Sequence, residues 1–495
     1  MQIFRDPAYK KVIIIGLAIQ VIAAWFCTGY HYPDEQFQVY EFANYKLGKS
    51  PFSDLAWEYK AQIRSGIQPF IAYGLCKATL AIHAFNPFAI TFIMRLLMGI
   101  FTWWVTVRLL QQLLPEFITE RGKKLFVLSA MLLWFIPYIG VRFSAENFAG
   151  LLFLLSISLI VDAQKLVISK RVALHAIAGF LFGIALYVRL QMGFAFIGLG
   201  IWLLFLDKTK WFDYGGLIIA GIAAIGVSIA IDRWFYGIWV FTPYNYFYTQ
   251  IVQNIAAKWG VEPWWYYFIL VFNSAAPPIS IALIVLFFFG LRHKTLHVLT
   301  LCCITFLVGH FIIGHKELRF LFPMTLPFIF LACIGADRLM HRYPNPRLYK
   351  VTFIILAVIN CALLTFRSLT PAQEVVQYFK YVYNHADQPT TVVGLGRSPY
   401  DLDGLTSHFF RPPGLHIAVI QNIQAFDSVA RSEPGRQIFF IDQYTQNSKS
   451  IPGYQLEPVY SIFPDFVLHN NFNNWQERSR IWAIYRVSPT TAMQQ

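Results

Sequence analysis

Val12-Ile13-Ile14-Ile15-Gly16-Leu17-Ala18-Ile19-Gln20-Val21-Ile22-Ala23-Ala24-Trp25-Phe26-Cys27 leads into His31-Tyr32-Pro33-Asp34-Glu35-Gln36-Phe37-Gln38-Val39-Tyr40-Glu41. With its flanks the apolar run is long enough to cross a bilayer, so the acidic cluster emerges where a first span leaves the membrane. Pro33 suits the first turn of a helix, where its missing N–H would go unpaired anyway, and Asp34 and Glu35 then sit where the helix dipole favours anions. At about 100° per residue, Asp34, Gln38 and Glu41 share one face while Phe37 and Tyr40 point away. The pattern predicts a membrane-surface helix with an acidic working side. A merely solvated interfacial helix is the plainer reading of the same residues, and what else gathers on that side decides between them.

The rest of the chain is of the same kind. Of 495 residues, 57% are hydrophobic, 18% aromatic and only 13% charged, which excludes an ordinary soluble protein and implies many spans. The net charge of +14 does not indicate nucleic acid, because Lys and Arg fall in short clusters between apolar runs. Cys27, Cys76, Cys302, Cys303, Cys333 and Cys361 lie in or beside apolar segments without metal-ligand spacing, so neither a disulfide framework nor a metal site is expected. The basic N-terminus before the first run has no small-residue cleavage site after it and reads as an uncleaved span.

Apolar runs recur at roughly 12–30, 91–114, 125–141, 147–162, 173–188, 192–206, 215–231, 266–290, 296–313, 319–335 and 350–366, about eleven spans, with 67–82 as an extra candidate interrupted by Lys77. The basic loops are the N-terminus, Glu120–Lys124, Lys165–Arg171, Asp207–Lys210, Arg292–Lys294 and Arg338–Lys350. Eleven spans put all of them on one side, the cytoplasmic one by the positive-inside rule. Outside lie a first loop of about 31–90, the other intervening loops and everything after Arg367. From Thr370 the pattern changes: extended stretches Thr391–Leu395, His416–Gln421, Gln437–Ile441 and Trp482–Val487 predict a small α/β domain over 371–495, following a membrane module over 1–370. Gly394-Leu395-Gly396 lacks the third glycine of a dinucleotide fingerprint and reads as a tight turn.

The outer segments also hold Trp57-Glu58-Tyr59, Arg64, Arg142, Glu146, Arg189 and His315-Lys316-Glu317-Leu318-Arg319. Ionisable groups near membrane depth are costly and mark a site or a pathway. Arg64, Arg142, Arg189, Lys316 and Arg319 would together suit a phosphate, arginine by its fork and lysine as a point charge. A carboxylate beside them could act as general base. The plainer readings are that Arg142 or Arg189 snorkels or pairs with Glu146, that Glu317 orients Lys316 or Arg319, and that His310 and His315 are structural. The aromatics of 232–268 read mostly as interfacial belt.

Pro33-Asp34-Glu35-x-Phe37-Gln38-x-x-Glu41, Leu55-x-Trp57-Glu58-Tyr59 with Ile63-Arg64-Ser65, Phe235-Tyr236-Gly237-x-Trp239-Val240-Phe241-Thr242-Pro243-x-Asn245 and His315-Lys316-Glu317-x-Arg319-Phe320-Leu321-Phe322-Pro323 follow one another in this order. Together they resemble the polyprenyl-phosphate-mannose-dependent mannosyltransferases of GPI-anchor and N-glycan precursor assembly, in the GT-C superfamily. The likeness is greatest to members adding the third GPI mannose, and it covers about residues 10–340. It implies a GT-C fold and an inverting transfer of mannose from a lipid phosphate to an acceptor hydroxyl, without a metal or other cofactor. On matching positions it implies Asp34 as general base with Glu35 as substitute, Trp57, Glu58 and Arg64 shaping the site, and His315, Lys316 and Arg319 binding donor phosphate. Arg142-Phe143-Ser144-Ala145-Glu146 matches the family's Arg-Thr-x-Ser-Asn box only loosely, and 371–495 matches poorly, so the glycan or glycolipid acceptor stays open.

A polytopic transporter or lipid scramblase would use the same charges as a path, but it predicts inverted repeats and midplane charges, whereas these charges cluster at loop ends. A scaffold presenting the C-terminal domain would leave the membrane-embedded charges without a reason.

Overall fold

The computed structural model describes residues 4, 6–207, 211–402, 404–443, 450–475 and 482–490; Arg5, Lys208 and Lys210 of the basic loops lie outside them. Seven described helices are long and apolar enough to cross a membrane: Pro7–Phe26, Pro87–Glu116, Ala145–Ala163, Ile168–Val188, Asp213–Tyr236, Leu318–Arg342 and Pro346–Leu369. Leu190–Phe205, Ile279–His293 and Val298–Ile312 are apolar but shorter. Two of the expected runs are broken. The 125–141 run splits into Glu120–Leu132 and Phe135–Gly140, and Asn360 meets the freed backbone groups, accepting from Trp134 N at 2.9 Å and donating to Leu132 O at 2.8 Å. The 266–290 run splits into Tyr266–Ser274 and Ile279–His293 at Pro277-Pro278, which supply no N–H. Ile67–Ala81 is a helix of 15 residues.

Contacts divide the chain into two compact units. The first comprises Met1–Cys27, Trp57–Ile82 and Ile90–Thr370, and the second Thr28–Ala56, His83–Ala89 and Pro371–Gln495. In the first unit, local chemistry starts the helices: Asp6, Thr119, Ser144 and Asn345 each accept a backbone N–H of the first turn that follows. Small residues then let them touch. A Cβ on Gly290 would lie 1.8 Å from Leu331 O, and one on Gly335 2.1 Å from Leu286 O, so Ile279–His293 and Thr325–Arg342 meet backbone to backbone. Burial is uneven: 72% of the most apolar stretch of Ala145–Ala163 and 78% of that of Leu318–Arg342 is buried, against none of Pro346–Leu369. The first two are central and the last is peripheral, with most of its apolar side chains left for lipid and Leu364 and Ser368 buried.

The second unit is built on a five-stranded sheet of order β4-β1-β5-β7-β6, from β1 (Thr390–Leu395), β4 (His416–Ile420), β5 (Gln437–Gln443), β6 (Tyr454–Ser461) and β7 (Trp482–Pro489); β2 (Asp401–Leu402) and β3 (Leu405–Thr406) pair apart from it. β1 runs parallel to β4 and β5, and β7 antiparallel to β5 and β6. β6 is the strand the pattern does not announce, because Pro458 interrupts it; at a sheet edge a proline costs no ladder bond, and the register shifts there. Val393, Ile420, Phe426, Phe440 and Ile451 form one core. The Gly394-Leu395-Gly396 turn uses Gly396 at φ +72°, its N–H donating to Ile420 O at 2.7 Å. Thr28–Ala56 belongs to this unit: Thr28 O accepts from Ala372 N at 2.8 Å, and Tyr40 stacks on Phe409 at 5.2 Å.

Candidate active site

Pro33–Glu35 forms one helical turn, with the proline at its start where no N–H is needed, and its two acids differ in what they do. Glu35 is buried, and its carboxylate accepts from His31 N at 3.2 Å and Tyr32 N at 3.4 Å, closing the turn. Asp34 is half-buried. From Gln36 to Tyr40 the backbone takes a π-helical turn, Glu41 N donating to Gln36 O, before Glu41–Lys46 resumes as α-helix. The wider turn abolishes the expected division into an acidic and an apolar side: Gln36, Phe37, Gln38, Val39, Tyr40 and Glu41 are all buried. Glu41 is therefore not a solvated acid. It accepts from His408 N at 2.9 Å, Phe409 N at 3.0 Å, Ser407 Oγ at 3.1 Å and Gln36 Nε2 at 2.9 Å. Burial pushes its carboxyl up, and the Phe409 N–H and Gln36 amide work against that push. Asp54 pairs with His408 at 2.7 Å.

In the helical unit, Ser144 caps Ala145–Ala163 and sets Glu146 in its first turn, where an anion is favoured. Glu146 is 2% exposed; Arg189 Nη2 lies 2.7 Å and Arg319 Nε 3.7 Å from its Oε1. Arg319 also pairs with Glu317, at 2.7 Å, and Glu317 holds His315 Nε2 at 2.9 Å. Both guanidiniums lie over the Phe320 ring, 5.1 Å from its centroid for Arg189 and 5.6 Å for Arg319. Three of the expected residues, Arg189, Arg319 and His315, thus form one network, with two glutamates as its joints. His315 lies outside the spans, and the bond to Glu317 raises its pKa above the ordinary histidine value.

The other expected cations are placed differently. Arg142, 1% exposed, donates to Cys27 O at 2.6 Å and Tyr138 O at 3.3 Å and lies over the Tyr138 ring. Lys316 Nζ donates to the carbonyls of His310, Phe311 and Ile313, at 3.2, 3.2 and 2.5 Å, closing the end of Val298–Ile312. Arg64 is 3.9 Å from Glu58 and lies over Tyr246, whose hydroxyl accepts from Gln191, next to the Arg189 turn. Trp57 begins the short helix Trp57–Lys60 and is half-buried.

Sequence reasoning passed over Asp232. Fully buried at the end of Trp211–Tyr236, it accepts from Gly66 N at 2.7 Å, Tyr187 OH at 2.6 Å and Thr242 Oγ1 at 2.7 Å. Around it, Tyr59 OH donates to Phe235 O at 3.1 Å, Tyr236 OH to Arg64 O at 2.6 Å, and Asn245 Nδ2 to Gln62 O at 3.2 Å. The Phe235–Asn245 box is thus a clamp on residues 59–66. An aspartate ending a run of apolar residues was the available signal. A Cβ on Gly66 would stand 2.8 Å from that of Phe235, so the clamp closes only on glycine. Trp239, Tyr244, Trp259 and Trp264 remain exposed, as a belt would be. Among the described residues no three His, Cys, Asp or Glu side chains gather as a metal site.

A sequence profile of the Alg9-like mannosyltransferase family matches residues 11–400. GPI mannosyltransferase 3 of Debaryomyces hansenii is 24% identical over 386 residues, 76% of this chain and 68% of that protein. GPI mannosyltransferase 3 of Drosophila melanogaster is 23% identical over 358 residues, 70% of this chain and 59% of that protein. ArnT from Cupriavidus metallidurans, solved bound to undecaprenyl phosphate, superimposes with a TM-score of 0.58 over 97% of this chain and 98% of its own at 11% identity, which shows a shared GT-C fold.

Proposed function

From its membership of the Alg9-like mannosyltransferase family, to which this chain belongs, we infer that it transfers mannose from a polyprenyl-phosphate donor to a hydroxyl of a glycan or glycolipid acceptor, with inversion. The observation that carries the reading is the buried Arg189–Glu146–Arg319 network. Two guanidiniums on fixed elements offer fork geometry to a phosphate, and Glu146 and Glu317 hold their planes in place beforehand. The relatives' names supply the sugar, and the undecaprenyl phosphate bound to ArnT supports the lipid carrier.

The leaving group is already a phosphate, so cationic donors suffice as the C–O bond breaks and no general acid is needed. The acceptor hydroxyl must lose a proton, the role proposed for Asp34; Glu35 is committed to closing its turn. Arg189 and Arg319 take the phosphate, with His315 acting through Glu317; Arg64, Trp57 and Glu58 shape the site from the clamped loop. Arg142 and Lys316 act as positioning residues, since backbone carbonyls take up their donors. The catalytic loops and the C-terminal domain are extracytoplasmic, opposite the basic loops.

The test is donor turnover by the purified chain with labelled polyprenyl-phosphate mannose, glucose, galactose and arabinose, reading both hydrolysis and transfer. Mannose is expected to be used; no turnover of any donor sinks the reading. Asp34→Asn should lower transfer by at least about a hundredfold with the chain still folded in the membrane. Near-normal turnover by that variant would refute the base assignment.

A further inference from the structure

Tyr267 carries a hydroxyl that finds no hydrogen-bond partner among the described residues, although the side chain is 2% exposed. Buried tyrosine hydroxyls ordinarily have partners, and a phenylalanine would fill the same space without the cost of an unmet donor. The ring is fixed in place. Lys316 Nζ lies 5.3 Å from its centroid, with the rings of His310 and Phe311 each 6.3 Å away. Lys316 is itself held by the three carbonyls at the end of Val298–Ile312, so the tyrosine packs on a rigid neighbour. The side-chain charges felt at the hydroxyl are those of Glu317 and Arg189, both members of the network assigned to the donor.

We propose that the Tyr267 hydroxyl is a further ligand of the lipid-linked donor, donating a hydrogen bond to an oxygen of its phosphate. This rests on the function inferred above. The chemistry points to phosphate because Lys316 beside the ring and Arg189 are two cations against the one carboxylate of Glu317, so the missing partner is an anionic acceptor. A neutral hydroxyl adds a directed bond without adding a further cation to a site that must later release a phosphorylated lipid.

The test uses the full chain in lipid nanodiscs, parent and Tyr267→Phe, with three readouts: thermal melting, equilibrium binding of labelled polyprenyl-phosphate mannose, and competition by polyprenyl phosphate or inorganic phosphate. Tyr267→Phe keeps the ring beside Lys316, so it should melt at the parent's temperature or higher. Its affinity for the donor should fall roughly tenfold to a hundredfold, and competition by polyprenyl phosphate should weaken by the same factor. Unchanged donor affinity overturns the proposal, as does weaker donor binding with unchanged competition by polyprenyl phosphate, which would move the contact to the sugar. Inorganic phosphate competing as well as polyprenyl phosphate in the parent also overturns it, because the ligand would then be free phosphate. A parent that binds no polyprenyl-phosphate sugar sinks the transferase reading itself, and that result is distinct from a parent that binds and a variant that binds equally.

Discussion

Glu146 lies between two arginines in a place where water cannot share the work. Glu146→Gln removes the compensating charge and leaves two guanidiniums facing each other, a loss of about 3–5 kcal/mol expected from a broken buried pair. The melting temperature in detergent should fall sharply; an unchanged one would mean that the pair is solvated. Arg319→Lys keeps the charge but gives up the fork that spans Glu317 and Glu146, so donor affinity should drop about tenfold while melting changes little. Equal affinity of parent and variant would remove Arg319 from the phosphate site. His315 has its pKa raised by Glu317, so the imidazolium's contribution is fully present below the ordinary histidine pKa and is lost as pH rises through the raised value. Donor affinity should therefore weaken from mildly acidic toward basic pH, and His315→Gln should flatten that profile.

At the scale of elements, two carboxylates act as brackets. Asp232 gathers the start of Ile67–Ala81, the end of Ile168–Val188 and the Thr242 turn onto one group. Asp232→Ala leaves three donors unmet and should loosen residues 57–66, seen as faster proteolysis in that loop together with a higher KM for the donor. Intact loop protection with a normal KM would show the bracket to be dispensable. Glu41 does the corresponding work in the other unit, joining the π-helical turn to Ser407–Phe409. Glu41→Ala should raise amide exchange at His408 and Phe409 before it affects the sheet core around Val393 and Phe440. Here the acid that periodicity assigned to a working surface serves packing instead.

For the whole molecule, the basic loops predict one orientation. Single cysteines placed at Lys123 and at Arg431 should react with an impermeant thiol reagent from opposite sides of the membrane; labelling from the same side would overturn that topology. The membrane class, the series of apolar helices, the change of character after Thr370 and most strands were legible in the sequence, because each depends on composition or short periodicity. So were the charged boxes as candidates, since an ionisable group in an apolar chain is conspicuous wherever it lies. What each charge does was not legible. Arg142 and Lys316 end on backbone carbonyls, Arg189 and Arg319 share Glu146, Thr28–Ala56 joins the strands rather than the helices, and Asp232 and Tyr267 gain their importance only from what surrounds them. Those facts depend on partners far apart in the chain, and no local pattern encodes which distant donor will meet a buried acceptor. Composition and periodicity dictate where apolar segments must be buried or face lipid; only the packing of segments far apart in the chain dictates which partner each buried charge meets, because a carboxylate and a guanidinium pair by distance in space and not by spacing in sequence.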